Sequence, residues 1–133
     1  MNKELKNKMA AEAMRRFRKR FPIESREYLR AWLKANPEKR RAIEKRVREK
    51  VRLRVLRQYG GTPPKCKCCR ESHIEFLSID HINSGGSKER RFYGSKLAYS
   101  IIRRGFPKGY QILCHNCNQA KGYYGQCPHR KRA

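Results

Sequence analysis

Cys66 and Cys69 form one Cys-x-x-Cys pair and Cys114 and Cys117 form another, with 44 residues between them. A two-residue gap lets both sulfurs of a tight knuckle reach one ion, so four thiolates in two such pairs suit tetrahedral zinc. Two unrelated thiol pairs would leave that repeated spacing without a reason. Cys68 lies inside the first pair, where it could replace a neighbour as ligand or join Cys127 and His129 in a second, incomplete site. Alternatively, Cys127 is a small buried residue where the tail folds back.

A second group lies between the pairs. The segment Ile74 to Ile82 reads as a strand that ends in Asp80-His81, in a half of the chain that has only four acidic residues. An aspartate beside a histidine in a strongly positive field suits a divalent cation held against a phosphodiester. Hydrolysis of that bond needs a base to deprotonate water and a metal to offset charge on the departing oxygen. Imidazole, with a reference pKa of about 6.5, serves as such a base near neutrality, which makes His81 the candidate. Asp80 is a hard oxygen ligand for Mg²⁺, and Asn118 brings a second oxygen from the start of a helix that Cys117 would fix. A structural zinc would thereby position a catalytic metal.

The elements that must hold these residues divide the chain in two. Residues 1–59 carry 21 Lys/Arg against 7 Asp/Glu and no Cys, His or Gly, whereas residues 60–133 carry 14 against 4 and every Cys, His and Gly. The seam, Gly60-Gly61-Thr62-Pro63-Pro64, ends any helix before it. Three helices are expected in the first half: from about Lys3 to Arg20, from Glu24 to Ala35, and from Pro37 towards Tyr59. Asn36 is expected to cap the third, with Pro37 at its first position. Ile43, Val47, Val51 and Val55 recur along that helix as a narrow packing seam, and its length of about 34 Å would cross a major groove. In the second half, Ser95 could cap a short helix whose Leu97, Ala98, Ile101 and Ile102 face inward and which Gly105 ends. The expected class is α+β: basic N-terminal helices, then a small zinc-stapled module.

The formal charge of +24 over 133 residues, with 38% apolar and 35% charged residues, implies a polyanionic partner, nucleic acid first. The 13 aromatic residues argue against plain disorder. No apolar run is long enough to span a membrane and the first residues lack a secretory h-region, so a cytoplasmic location is expected, with metal rather than disulfides at the cysteines. Arg46, Arg48, Arg52 and Arg54 on the third helix are candidate phosphate contacts, because the acids are too few to pair the bases.

The order Cys-x-x-Cys, Leu77-Ser78-Ile79-Asp80-His81-Ile82, Gly85-Gly86, then Leu113-Cys114-His115-Asn116-Cys117-Asn118-Gln119-Ala120-Lys121-Gly122 resembles the HNH endonuclease family with its ββα-metal, treble-clef fold. Within that family it looks most like small phage and group I intron-associated homing endonucleases, whose ending is similar to Gly105 through His129. The second cysteine segment also resembles phage recombination endonuclease VII. The likeness covers residues 58 to 129. It implies His81 as general base, Asp80 and Asn118 as ligands of the catalytic divalent metal, zinc on Cys66, Cys69, Cys114 and Cys117, and a 5′-phosphate with a 3′-hydroxyl as products. Asn118 stands where the fuller pattern has His, which favours Mg²⁺, with Mn²⁺ as a substitute. The middle Asn of the motif is either Asn83 or Asn116.

Arg90 and Arg91 could clamp the scissile phosphate or make ordinary backbone contacts, and Lys121 faces the same choice. His73 and His129 read as solvated or supporting groups, His115 as a phosphate contact or an exposed residue, and Tyr123 and Tyr124 as packing for the last helix. The resulting expectation is a metal-dependent endonuclease acting on double-stranded DNA, with a second copy of the chain on DNA as one way to cut both strands. Junction-resolving and restriction-type nucleases are rivals, as are a zinc protein bound to ribosomal RNA and a DNA-binding regulator that does not cut.

Overall fold

A computed structural model describes residues 2–83 and 85–132, and it separates into two compact units, Met1–Arg46 and Val47–Ala133. The first unit holds α1 (Lys3–Arg20), α2 (Pro22–Ala35) and the beginning of α3 (Pro37–Gly60). The Asn2 side chain accepts from the Glu4 N–H to start α1, and Arg18, Lys19 and Arg20 occupy its last turn, where cations suit the helix dipole. Helix α2 begins at Pro22 rather than Glu24, with the proline at the position where a missing N–H costs nothing. Asn36 stands at the expected N-cap position, its carbonyl accepting from the Arg40 N–H at 3.0 Å with Pro37 first in α3, but its Nδ2 donates backwards to the Trp32 carbonyl at 2.8 Å, so its side chain closes α2 rather than capping α3. Neither α1 nor α2 contains a buried residue, and Phe17 and Phe21 pair at 5.3 Å on an exposed surface.

The second unit is a mixed α and β assembly around two strands. In chain order it comprises the rest of α3, β1 (Leu77–His81), α4 (Gly86–Tyr93), α5 (Leu97–Arg103), β2 (Tyr110–Cys114) and α6 (His115–Tyr124). The strands pair antiparallel, with Leu77 opposite Cys114, Ile79 opposite Ile112, Asp80 opposite Gln111 and His81 opposite Tyr110. β1 is shorter than its apolar run suggested, because Ile74–Phe76 forms a 3-10 turn in front of it. Ser95 lies in another such turn, Gly94–Lys96, and does not cap α5, whose preceding residue Lys96 makes no capping bond.

Only the far end of the α3 seam is used. Ile43 and Val47 remain exposed, whereas Val55 and its neighbour Leu56 are fully buried. Leu56 packs with Leu77, Ile112, Leu113 and the cysteines, while Val55 meets Ile101 and Tyr110. Gly60 lets the helix end close against β2, since a Cβ there would lie 3.0 Å from Ile112 Cγ1. Cys66, Cys114, Cys117 and Cys127 are among the buried residues of the described chain, so the sulfur cluster is part of this core. No helix among the described residues is long and apolar enough to cross a membrane.

Candidate functional site

The sulfur cluster starts from two turns. After Cys66, the N–H of Arg70 returns to the Cys66 carbonyl at 3.1 Å, and the Cys66 N–H reaches Glu71 O at 2.8 Å, closing a knuckle. At the other end β2 runs directly into α6. Cys114 is the residue before the helix and its sulfur accepts from the Cys117 N–H at 3.4 Å. The lone pairs of the first ligand thus cap the helix that carries the last one. The ligand atoms of Cys66, Cys69, Cys114 and Cys117 all lie within 4.8 Å of one another, and Cys69 Sγ and Cys114 Sγ are 3.6 Å apart. An ion about 2.3 Å from each sulfur requires tetrahedral edges of about 3.8 Å, so the cluster could hold zinc with little rearrangement.

Burial raises the Cys66 thiol, but main-chain hydrogen bonds at Cys69, Cys114 and Cys68 outweigh it and bring the group down to about 7. Burial pushes Cys114 and Cys117 up. Cys66, readily ionised, stands beside two thiols that burial pushes up, and a cation bound to these sulfurs would release their protons.

A second set also converges. Cys68, Cys117, Cys127 and His129 bring their ligand atoms within 4.8 Å of one another. His129, although exposed, also lies against sulfur, with Nδ1 3.4 Å from Cys117 Sγ and 3.5 Å from Cys127 Sγ.

Asp80 and His81 are the last two residues of β1 and take separate partners. Asp80 is buried, and its Oδ2 accepts from Gln111 Nε2 and Lys121 Nζ, each at 2.7 Å. Lys121 also donates to the His81 carbonyl. Two of the three donors of its ammonium are therefore engaged by the protein itself. Asn118 Nδ2 donates to Ser78 Oγ at 3.1 Å, and Ser78 Oγ donates in turn to Leu113 O at 3.0 Å. The amide oxygen of Asn118 and Oδ1 of Asp80 lie outside these contacts.

His81 Nε2 lies 2.9 Å from Glu89 Oε2 of α4, and its ring stands 4.8 Å from that of Tyr110. Tyr110 donates to the same Glu89 oxygen, while Arg104 reaches Glu89 Oε1 at 3.2 Å and the Tyr110 hydroxyl at 2.8 Å. Burial would raise the Glu89 carboxyl, but the hydrogen bonds from Tyr110 and His81, with the Arg104 charge, hold it below the usual range. Glu89 was not singled out from sequence. It lies eight residues past His81, and only the first turn of α4 brings it back. The other imidazole nitrogen meets Gly86, where a Cβ would stand 2.9 Å from His81 Nδ1.

Asp80, His81, Asn118, Arg90 and Arg91 line one cleft of about 490 Å³, together with Ile79 and Leu97. Arg90 and Arg91 are exposed there. The arginines of α3 behave differently from one another. Arg52 is not free for phosphate in the way the sequence suggested, because its NH2 group donates to the carbonyls of Ile74 at 2.8 Å and Leu77 at 2.6 Å. Arg54 stacks over the Phe106 ring at 5.5 Å but stays exposed, as do Arg46 and Arg48. Tyr123 and Tyr124 do not pack α6; they are 75% and 68% exposed. No family model, curated protein or solved structure matches the chain.

Proposed function

We propose that the chain is an HNH-type endonuclease that hydrolyses phosphodiester bonds of double-stranded DNA. The observation that carries this reading is the convergence of Asp80, His81 and Asn118 with two arginines on a single cleft, beside a sulfur cluster that fits zinc. In this reading β1, β2 and α6 are the ββα-metal module, and the zinc cluster holds the strand-to-helix junction from which Asn118 projects.

His81 takes the proton from the attacking water on Nδ1, the nitrogen left outside the Glu89 contact. Glu89 orients the ring and offsets the imidazolium charge that develops, while Tyr110 and Arg104 hold Glu89. Arg90 and Arg91 bind the non-bridging oxygens of the phosphate. Asp80 and Asn118 supply the oxygens for a divalent cation, Mg²⁺ by the hardness of the donors, and when bound that cation offsets charge on the leaving 3′ oxygen. The exposed bases of both units add sequence-independent grip. Site-specific cutting of the homing type rests on the sequence resemblance.

One observation favours a second reading, a DNA-binding protein that does not cut: Lys121 already neutralises the carboxylate that would hold the metal. Incubating the zinc-loaded protein with supercoiled plasmid, with and without Mg²⁺, and with a panel of branched and linear duplexes, separates the two. Mg²⁺-dependent relaxed or linear product with a 5′-phosphate supports the nuclease. Binding without cleavage on every substrate supports the regulator.

A further inference from the structure

We propose that all six cysteines and His129 hold two zinc ions that share the Cys117 thiolate. The argument begins with ligand number. Zinc takes four ligands in structural sites, and seven converge here in two sets of four that have only Cys117 in common. One ion on Cys66, Cys69, Cys114 and Cys117 would leave Cys68, Cys127 and His129 gathered around a fourth sulfur with nothing to hold.

The distances agree with a second tetrahedron. Bond lengths of about 2.3 Å to sulfur and about 2.0 Å to nitrogen set a sulfur–nitrogen edge of about 3.5 Å. The two edges that end on His129 Nδ1 measure 3.4 Å from Cys117 and 3.5 Å from Cys127. Two ions on one bridging sulfur stand no more than about 4.6 Å apart, so their repulsion must be offset locally. Six thiolates against two divalent ions leave the pair net negative, which this basic chain tolerates.

The chain path explains how the second set forms. Gly125 takes a left-handed φ of 69°, turning the backbone out of α6, and the Arg130 N–H returns to Cys127 O at 3.0 Å. That turn brings Cys127 and His129 back to the first turn of the same helix. The second ion therefore ties the tail to the knuckle and to the helix that bears Asn118, a structural role independent of whether the cleft cuts DNA.

Metal content of the full-length protein tests this. Native mass spectrometry and elemental analysis, after dialysis against a weak chelator, are expected to give two zinc ions per chain. His129→Ala and Cys127→Ser are each expected to halve that number while the helical circular dichroism is kept. His129 is exposed, so its loss leaves the core intact and guards against misfolding of the cysteine variant. Substitution with ¹¹³Cd is expected to give two resonances split by mutual coupling through Cys117 Sγ. One ion in the wild-type chain, or two cadmium lines without mutual coupling, would overturn the bridged pair.

Discussion

His81 Nε2 and Glu89 Oε2 are 2.9 Å apart, which fixes which nitrogen of the imidazole is committed to the protein and which is left to the cleft. The two nitrogens of a histidine are distinct, and the hydrogen bond made by one sets the protonation of the other. Here α4 makes the selection, and the proposed mechanism follows from it.

Gly86 guards the uncommitted nitrogen. A methyl group placed there meets Nδ1 at 2.9 Å, and the ring cannot retreat without losing Glu89. Gly86 opens α4, where alanine is the better helix former by up to about 1 kcal/mol. Because the Cβ must push the ring off Glu89, Gly86→Ala is expected to lower cleavage at least tenfold, while in thermal melts the lost contact offsets the gain in helix propensity. Equal activity in the two proteins, measured under single-turnover conditions, would remove Nδ1 from the mechanism.

Glu89 links the site to pH. Its carboxyl is held below its ordinary value of 4.5, so its ionised form stabilises the native state. That contribution is complete above the unfolded value and is lost as pH falls through the lower native value. The stability difference between the wild type and Glu89→Gln is expected to shrink below about pH 4.5, as read from urea melts at several pH values. A difference that stays constant through that window would show that the carboxylate charge contributes nothing.

Much of the scaffold was legible because it is local. Lys3–Arg20 matches its expected limits, and α3 ends at the glycine–proline seam, because proline and glycine act within one or two residues of themselves. The meeting of Cys66, Cys69, Cys114 and Cys117 was legible from spacing alone, since each pair needs only a knuckle or a helix start. What the sequence concealed depends on pairs distant in the chain. Glu89 acquires its role from Tyr110 and Arg104, and Arg52 acquires its from carbonyls more than twenty residues away. Asn36 holds the expected position before α3, but its amide can close one helix or open the next, and sequence does not weigh Trp32 O against the N–H groups of α3.

In the proposed mechanism Lys121 and a divalent cation compete for Asp80. Lys121→Met removes a partner 2.7 Å from a buried carboxylate, which Gln111 alone then satisfies. A loss of about 2 kcal/mol is expected in metal-free buffer. Mg²⁺ is expected to restore stability in the variant more than in the wild type. Thermal melts with and without Mg²⁺ measure both, and an equal Mg²⁺ response would place the cation elsewhere.

Arg48 and Arg52 are one helical turn apart yet should differ in kind. Arg48→Ala is expected to reduce the salt slope of DNA binding by about one phosphate contact and leave stability unchanged. Arg52→Ala is expected to destabilise the fold by about 1–3 kcal/mol, because it leaves the Ile74 and Leu77 carbonyls without their donor. Binding titrations over a range of salt, paired with chemical denaturation, distinguish the two. A shared phenotype would contradict the assignment.

The central claim is that His81 is the base of a phosphodiester hydrolase. The direct measurement is cleavage and binding by wild type and His81→Ala on the same supercoiled DNA in Mg²⁺, with both proteins zinc-loaded. The account predicts cutting by the wild type, a loss of at least about a hundredfold in the variant, and unchanged DNA affinity. Equal cleavage by the two proteins, or no cleavage by either on any substrate that both bind, would contradict it.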